Sequence, residues 1–198
     1  MPSAAPLTLL PNFDPDERDE IAPGPRAVPS FRAIFETHSA WMWNALRRLG
    51  VHERDLEDVA HEVFITVHRR LGDYDPQRPL RPWLFGIALR TAMRYRELAR
   101  HRREVIGGDR EVACEQPSVE DRIEAAQARR LVAAALESIE IHRRAVFVMH
   151  EIDGEPIPAV AEALHVPLNT AYSRLRLARA DFRAAILRLT GCEAAQAA

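Results

Sequence analysis

The sequence predicts an all-α fold of two small helical domains joined by a flexible linker, and three observations support it. Leu, Ala, Val and Ile are plentiful while glycine accounts for only 8 of 198 residues, which favours helix over sheet. Apolar residues recur at spacings of three and four along most of the chain, the period of one helical face. A glycine-containing acidic stretch, 105–118, splits the helical pattern into two halves, each long enough to bury a modest core.

Residues 1–29 carry seven of the 14 prolines and the acidic run Asp14-Pro15-Asp16-Glu17-Arg18-Asp19-Glu20. They have no helical period and read as a disordered tail. The first domain, 30–104, opens at Ser30, a good N-cap residue. Its first helix turns Phe31, Ile34, Phe35, His38, Trp41, Met42, Ala45 and Leu49 inward and ends at Gly50. A second helix, about 55–71, carries Leu56, Val59, Ala60, Val63, Val67 and Leu71 on its inner face and stops at Gly72. After a proline-rich loop, a third helix is expected from Pro82 to about Arg103, with Leu84, Ile87, Ala88, Thr91, Tyr95 and Leu98 inward.

The linker, 105–118, contains Gly107-Gly108 and Pro117. In the second domain, 119–190, Ser118 caps an acidic helix through about Ser138, and another helix runs from Ile141 to Ile152 and ends at Asp153-Gly154. Pro158 opens a short helix, His165-Val166 makes a turn, and Pro167 opens a longer basic helix to about Leu189, leaving a C-terminal tail, 191–198. A short helix, a tight turn and a longer basic helix form the helix-turn-helix pattern.

All 27 basic residues are arginine, and the formal net charge is −2. By segment the balance is −3 over 1–29, +4 over 30–104, −4 over 105–127 and +1 over 128–198, with +4 in 168–188 alone. Two basic blocks separated by an acidic strip point to polyanion contact at two places, although solvated helices in an arginine-biased sequence give the same totals. Two cysteines, Cys114 and Cys192, cannot make a disulfide framework, and no CxxC offers zinc ligands; Cys114 in the linker is the one candidate for redox sensing. No apolar run approaches the ~20 residues of a membrane span, and no basic leader precedes Leu7–Leu10, so a cytoplasmic protein without membrane insertion is expected. His61-Glu62 begins an HExxH motif that Ile65 breaks, which leaves His61 and His68 as a weak metal pair at most. No glycine-rich phosphate loop or nucleophile elbow occurs, so neither enzymatic activity, a small-molecule substrate nor a cofactor is expected.

On the last helix, Leu168, Ala171, Leu175, Ala178, Phe182, Ala185 and Leu189 share the apolar face. Asn169, Thr170, Ser173 and Arg176 turn away from it, flanked by Tyr172, Arg174 and Arg183. Short hydrogen-bonding side chains followed by arginines at a helix N-terminus suit a DNA major groove, where Arg reads guanine and the helix end favours phosphate. The third helix is the second basic block, with Arg90 and Arg94 opposite its core face, next to Trp83 and the loop Tyr74-Asp75-Pro76-Gln77-Arg78. Arginines that track phosphates beside aromatics that stack bases suit single-stranded DNA, whereas Trp83 and Tyr74 could equally serve the core. The second helix is acidic at Glu53, Asp55, Glu57, Asp58 and Glu62, and such a face fits a basic protein surface.

In order along the chain, Glu57-Asp58-Val59-Ala60-His61-Glu62-Val63-Phe64 and Tyr74-Asp75-Pro76-Gln77-Arg78-Pro79-Leu80-Arg81-Pro82-Trp83-Leu84-Phe85-Gly86-Ile87-Ala88 resemble region 2 of sigma-70-family initiation factors. Arg143-Arg144-Ala145-Val146-Phe147-Val148-Met149, Ala159-Val160-Ala161-Glu162-Ala163-Leu164 and Val166-Pro167-Leu168-Asn169-Thr170-Ala171-Tyr172-Ser173-Arg174-Leu175 resemble region 4. Two such regions with a short linker are similar to the extracytoplasmic-function (ECF) subgroup. The resemblance implies that Glu57, Asp58, His61 and Glu62 bind core RNA polymerase at its clamp coiled coil, with region 4 at the flap. It implies that Tyr74, Arg78, Arg81, Trp83, Arg90 and Arg94 open and hold the promoter −10 element. Asn169, Thr170, Tyr172, Ser173, Arg174 and Arg176 would read the −35 element, and an anti-sigma factor would hold the protein in check. The chain departs from the usual family pattern at His61 (Gln), at Gly86-Ile87-Ala88-Leu89-Arg90 (Arg-Ile-Ala-Arg-Asn), at Tyr172 (Arg) and at His165 (Gly), so no promoter consensus is carried over. Two other functions fit the residues: a helix-turn-helix regulator independent of polymerase, which would need a dimer interface to read two half-sites, and a sigma-like protein-binding module without DNA reading.

Overall fold

A computed structural model describes residues 28–106 and 120–196. Among them are seven α-helices and no strand: α1 (Phe31–Arg48), α2 (Leu56–Arg70), α3 (Leu80–Ile106), α4 (Glu120–Glu137), α5 (Ile141–Phe147), α6 (Ile157–Ala163) and α7 (Leu168–Gln196). Short 3-10 turns, Glu53–Asp55 and Leu71–Asp73, flank α2, and a π-helical turn, Val148–Ile152, continues α5. The first domain packs α1, α2 and α3 against one another; in the second, α4, α5 and α6 pack on α7.

Local chemistry sets the ends of these helices. The Ser30 hydroxyl accepts from the Ala33 amide at 3.2 Å and starts α1. Gly50, at φ +89°, closes it: its amide donates to the Arg47 carbonyl and the Val51 amide to the Leu46 carbonyl, the paired bonds of a Schellman motif. The same motif ends α6, where the His165 amide donates to Glu162 and the Val166 amide to Ala161. Here the left-handed residue is His165, at φ +53°. The Glu140 carboxylate caps α5 by accepting from the His142 and Arg143 amides. α3 begins two residues before Pro82, which therefore still lies in the first turn, where a missing N–H costs nothing.

Several expectations change. α7 continues to Gln196 rather than ending near Leu189, so residues 191–196 extend a helix instead of forming a tail. The helix expected over 141–152 loses its α-helical pitch at Val148, and residues 105–106 belong to α3 rather than to the linker. The rest of the linker, Ser118 and the tail through residue 27 lie outside the described residues. Leu98, expected inward, is 55% exposed. Tyr95 already reaches the start of α2, where its hydroxyl donates to Asp55, so the following turn of the longer α3 has no neighbour to cover it. Leu168, in the first turn of α7, and Phe35 are also exposed, while Leu46, Phe64, Phe85, Leu89 and Ala92 join the core.

The two domains do not stand apart. α6 lies on α3 and α1 touches α4, so that buried residues of both domains form one continuous apolar cluster, from Met42, Val63 and Ile87 through to Val146, Val160 and Leu175. Each small bundle has an apolar face that its own helices leave uncovered, and the faces meet.

A left-handed histidine carries a steric cost that glycine escapes. His165→Gly is expected to stabilise the protein by roughly 0.5–1 kcal/mol, read as a rise of about 1–4 °C in thermal midpoint. An unchanged or lower midpoint would mean that the imidazole itself holds the turn.

Candidate nucleic-acid and polymerase interfaces

The helix-turn-helix consists of α6, the His165-Val166 turn and α7. At the start of α7, Asn169, Tyr172, Ser173 and Arg176 are exposed, Tyr172 at 52%, while Thr170 and Arg174 are half-buried. Asn169, Thr170, Ser173 and Arg174 line an open hollow together with Glu140, His142 and Arg143. Ion pairing separates the arginines of this domain into two sets. Arg179 is bound to Glu151 and Arg143 to Asp181 at 3.0 Å, whereas Arg174 and Arg176 have no ion pair among the described residues. The two arginines nearest the helix N-terminus are thus left with their charge unneutralised and turned outward, the arrangement a major-groove reader needs.

The first domain has its basic face at the loop and the start of α3. Tyr74 is buried; its hydroxyl donates to the Arg78 carbonyl at 2.6 Å and its ring lies 5.0 Å from that of Trp83. Asp75 closes the loop by accepting from the Gln77 amide. Tyr74 is thereby the support under Trp83, which stays half-buried at the rim of a cleft of about 340 Å³ lined also by Arg70, Arg78, Pro82 and Arg90. Burial, with Arg70 beside it, lowers the Arg90 pKa; Arg70 is itself paired with Asp73 at 3.8 Å. Arg81 and Arg94 are not part of this cleft: Arg81 lies over the Trp41 ring at 5.8 Å and Arg94 is ion-paired with Glu62 on α2.

On the acidic helix three of the five carboxylates have internal partners. Arg47 grips Glu53 with two hydrogen bonds of 2.9 and 2.7 Å, which hold that carboxyl below its ordinary range. Asp55 accepts from Tyr95 at 2.6 Å, and Glu62 pairs with Arg94. Glu57, Asp58 and His61 remain exposed. Beside them, Phe31, Phe35, Phe64 and Ile65 (51% exposed) line an apolar groove that also holds His61 and His68. The two histidines thus belong to an apolar wall; among the described residues no group of three metal-ligating side chains occurs. The groove was not anticipated, although Ile65, an apolar residue off the inner stripe of α2, was a signal for it.

An exposed reading helix, a basic aromatic cleft and an acidic helix on one chain define a protein built to touch DNA at two places and a protein at a third. The family model for Sigma-70 region 2 matches residues 34–104 and that for Sigma-70, region 4 matches 129–182. RNA polymerase sigma factor CnrH of Cupriavidus metallidurans is 30% identical over 87% of this chain and 96% of its own length. ECF RNA polymerase sigma factor SigL of Mycobacterium tuberculosis is 31% identical over 74% of this chain and 83% of its own. CnrH in complex with the cytosolic domain of CnrY superposes with a TM-score of 0.56 at 29% identity, covering 78% of this chain and 85% of that one. The sigma factor RpoE of Bartonella quintana, in complex with the anti-sigma factor NepR, shares the fold at a TM-score of 0.62 and 17% identity, over 79% of this chain and 96% of that one. The chain belongs to the sigma-70 family of RNA polymerase sigma factors, the subunits that bind core polymerase and direct promoter-specific transcription. Within that family it is an ECF sigma factor.

Burial first, and then the hydrogen bond to Asp55, push the Tyr95 hydroxyl up to about 12. Because this lies above the ordinary phenol value of about 10, the contribution to stability is complete below that pH and is lost as pH rises toward 12. In a spectrophotometric titration, the Tyr95 share of the phenolate band, defined by difference from Tyr95→Phe, is expected to be still missing at pH about 11. Ionisation of that share near pH 10 would contradict the assignment.

Proposed function

We propose that the three surfaces divide the work of initiation. The α7 set, Asn169, Thr170, Tyr172, Ser173, Arg174 and Arg176, reads the −35 element. The cleft of Arg78, Trp83 and Arg90, with Tyr74 beneath it, receives the −10 strand, and Arg81 and Arg94 hold its surroundings in place. Glu57, Asp58 and His61, with Glu62 anchored by Arg94, dock on the clamp of core polymerase. The observation that carries this reading is the selective pairing of charge: Arg179, Arg143 and Arg94 are neutralised inside the molecule, while Arg174 and Arg176 face outward unpaired. The protein works in the cytoplasm as a specificity subunit, leaving the chemistry of nucleotide addition to the polymerase, and among the described residues no helix is long and apolar enough to cross a membrane. Because two of its structural relatives were solved with protein partners, one with the cytosolic domain of CnrY and one with the anti-sigma factor NepR, an anti-sigma protein is its expected regulator.

Run-off transcription with purified core polymerase on a genomic fragment library tests the whole reading: transcripts that appear only when this protein is added support it, and their absence refutes it. On a promoter so identified, Arg174→Ala and Arg176→Ala should each weaken binding of the −35 element by about 1–3 kcal/mol if they contact bases. Unchanged affinity in both variants would remove the assignment of the reading face. Reversing charge at Glu57 and Asp58 to Lys should abolish co-elution with core polymerase while leaving the helical circular dichroism intact; co-elution at the wild-type level would place the docking face elsewhere.

A further inference from the structure

Phe31 and Phe35, one turn apart on α1, and Phe64 and Ile65 on α2 form the walls of the groove beside the acidic helix face. The Phe35 and Phe64 rings meet edge to face at 4.8 Å, and Phe31 stands in the same way against His68 at 5.0 Å. The walls are therefore braced against each other, yet Phe35 is 43% and Ile65 51% exposed. An apolar surface that is both contiguous and open is normally a seat for something.

The two ends of the groove differ. At one end His68 and Arg69 are exposed, and Arg69, unlike Arg70, has no ion pair among the described residues. At the other end is His61, beside the exposed Glu57 and Asp58. The chain itself arrives at the basic end, because Phe31, in contact with His68, is the first residue of α1.

What precedes Phe31 in sequence matches the groove in the same order. Residues 14–20 hold five acids and one arginine, a charge of −4 suited to His68 and Arg69. Residues 7–13, Leu-Thr-Leu-Leu-Pro-Asn-Phe, are the densest apolar stretch before α1, and Pro11 favours an extended path over a helix. The fourteen residues 14–27 can span up to about 46 Å, ample for residues 7–13 to turn back onto α1 and α2. A tether of this length also sets an effective concentration on the order of millimolar. A second molecule at micromolar concentration competes for the same surface about a thousandfold less well.

We propose that the groove is the seat of this chain's own residues 7–13, laid along Phe35 and Ile65 with the acidic run at His68 and Arg69, and that they shield the docking face at Glu57, Asp58 and His61. The shielding rests on the proposed role of that face in binding core polymerase; the seat does not, and the free protein tests it.

In the full chain, Phe13→p-benzoylphenylalanine places a photo-crosslinker on the segment while keeping an aromatic ring there. Irradiation should give a crosslink within one molecule, at a yield independent of protein concentration, mapped by peptide mass spectrometry to residues 31–35 and 61–69. Leu9→Ser with Leu10→Ser removes the apolar contact without changing charge or touching a packed helix, and should scatter the crosslinks. Ile65→Ser, at a half-exposed position, should lower their yield severalfold. Crosslinks between two molecules would overturn the proposal in favour of a second copy in the groove, and a scattered map in the parent chain, or a yield indifferent to both variants, would overturn it outright. Without the crosslinker, the Leu9→Ser, Leu10→Ser chain should bind core polymerase about tenfold more tightly than the wild type. Equal affinity alongside an intact crosslink map would overturn the shielding. Failure of every form to bind core polymerase, by contrast, would refute the docking role of Glu57 and Asp58 and leave the crosslink map standing.

Discussion

The Arg144 guanidinium is wholly buried, and among the described residues no carboxylate lies close enough to form an ion pair with it, although Glu137 and Glu140 attract it from further away. A charge in that position must be held by dipoles, and the dipoles are the last carbonyl of α4 and one in the turn that follows it. Nη2 donates to Glu137 at 2.7 Å and to Ile139 at 3.1 Å, and Nε donates to Ile139 at 3.3 Å. The Glu137 carbonyl is among the groups a helix end leaves unsatisfied, at the negative end of the helix dipole. Burial, with Arg96 nearby, pulls the guanidinium down to about 10, still well above neutral pH. Because the cation cannot return to water without dismantling the core, the end of α4 and the start of α5 are fixed in relation to each other. Its remaining nitrogen lies against Gly50, where a Cβ would come within 2.8 Å of it. The left-handed glycine that ends α1 therefore also makes room for the second domain, and one side chain ties the chain reversal of α4 and α5 to the first domain.

The other charges follow a simple division. Carboxylates and guanidiniums that face each other within a domain, such as Arg47 with Glu53 or Arg143 with Asp181, fix helix ends and crossings. Exposed pairs of this sort contribute little to stability, about 0–1 kcal/mol each, so their larger effect is to decide which charges remain available. After the pairing, positive charge is left at the start of α7 and at Arg90, and negative charge at Glu57 and Asp58. A net charge of −2 conceals this arrangement, since it sums charges that have been used with charges that have not.

What could be read from the sequence was what depends on neighbours along the chain. Ser30 and Gly50 announce the ends of α1 through hydrogen bonds to residues three to five positions away, and Pro167 places the start of α7 within a residue. Most core positions followed from periodicity for the same reason. Periodicity could not reveal where a partner helix runs out, which is why Leu98 was assigned to a core that ends one turn earlier, and why Phe64 and Phe85 were missed on faces wider than the stripe. The exposed polar face at the start of α7 was legible because it is one stretch of one helix. The pairing that joins Arg48 to Asp153, 105 residues apart, has no local signature, and neither does the way Gly86 meets Ala163. Tyr74 illustrates a middle case: the loop was identified, but whether its ring faced a base or the protein depended on the Arg78 carbonyl that receives its hydroxyl.

The π-helical turn at Val148–Ile152 sets the phase of everything that follows it. In an α-helix each residue advances the azimuth by about 100°, and a π turn takes up one surplus residue while the axis continues. That surplus lets Val148 and Met149 both stay in the core and still delivers the Asp153 carboxylate to the side of the helix that meets α1. With a regular turn there, the same carboxylate would emerge about a quarter of a revolution away, and α6 and α7 would inherit the rotation. The direction in which this protein aims its DNA-reading helix is therefore set by a single residue of helical slippage, some twenty positions before the first side chain that would touch a base.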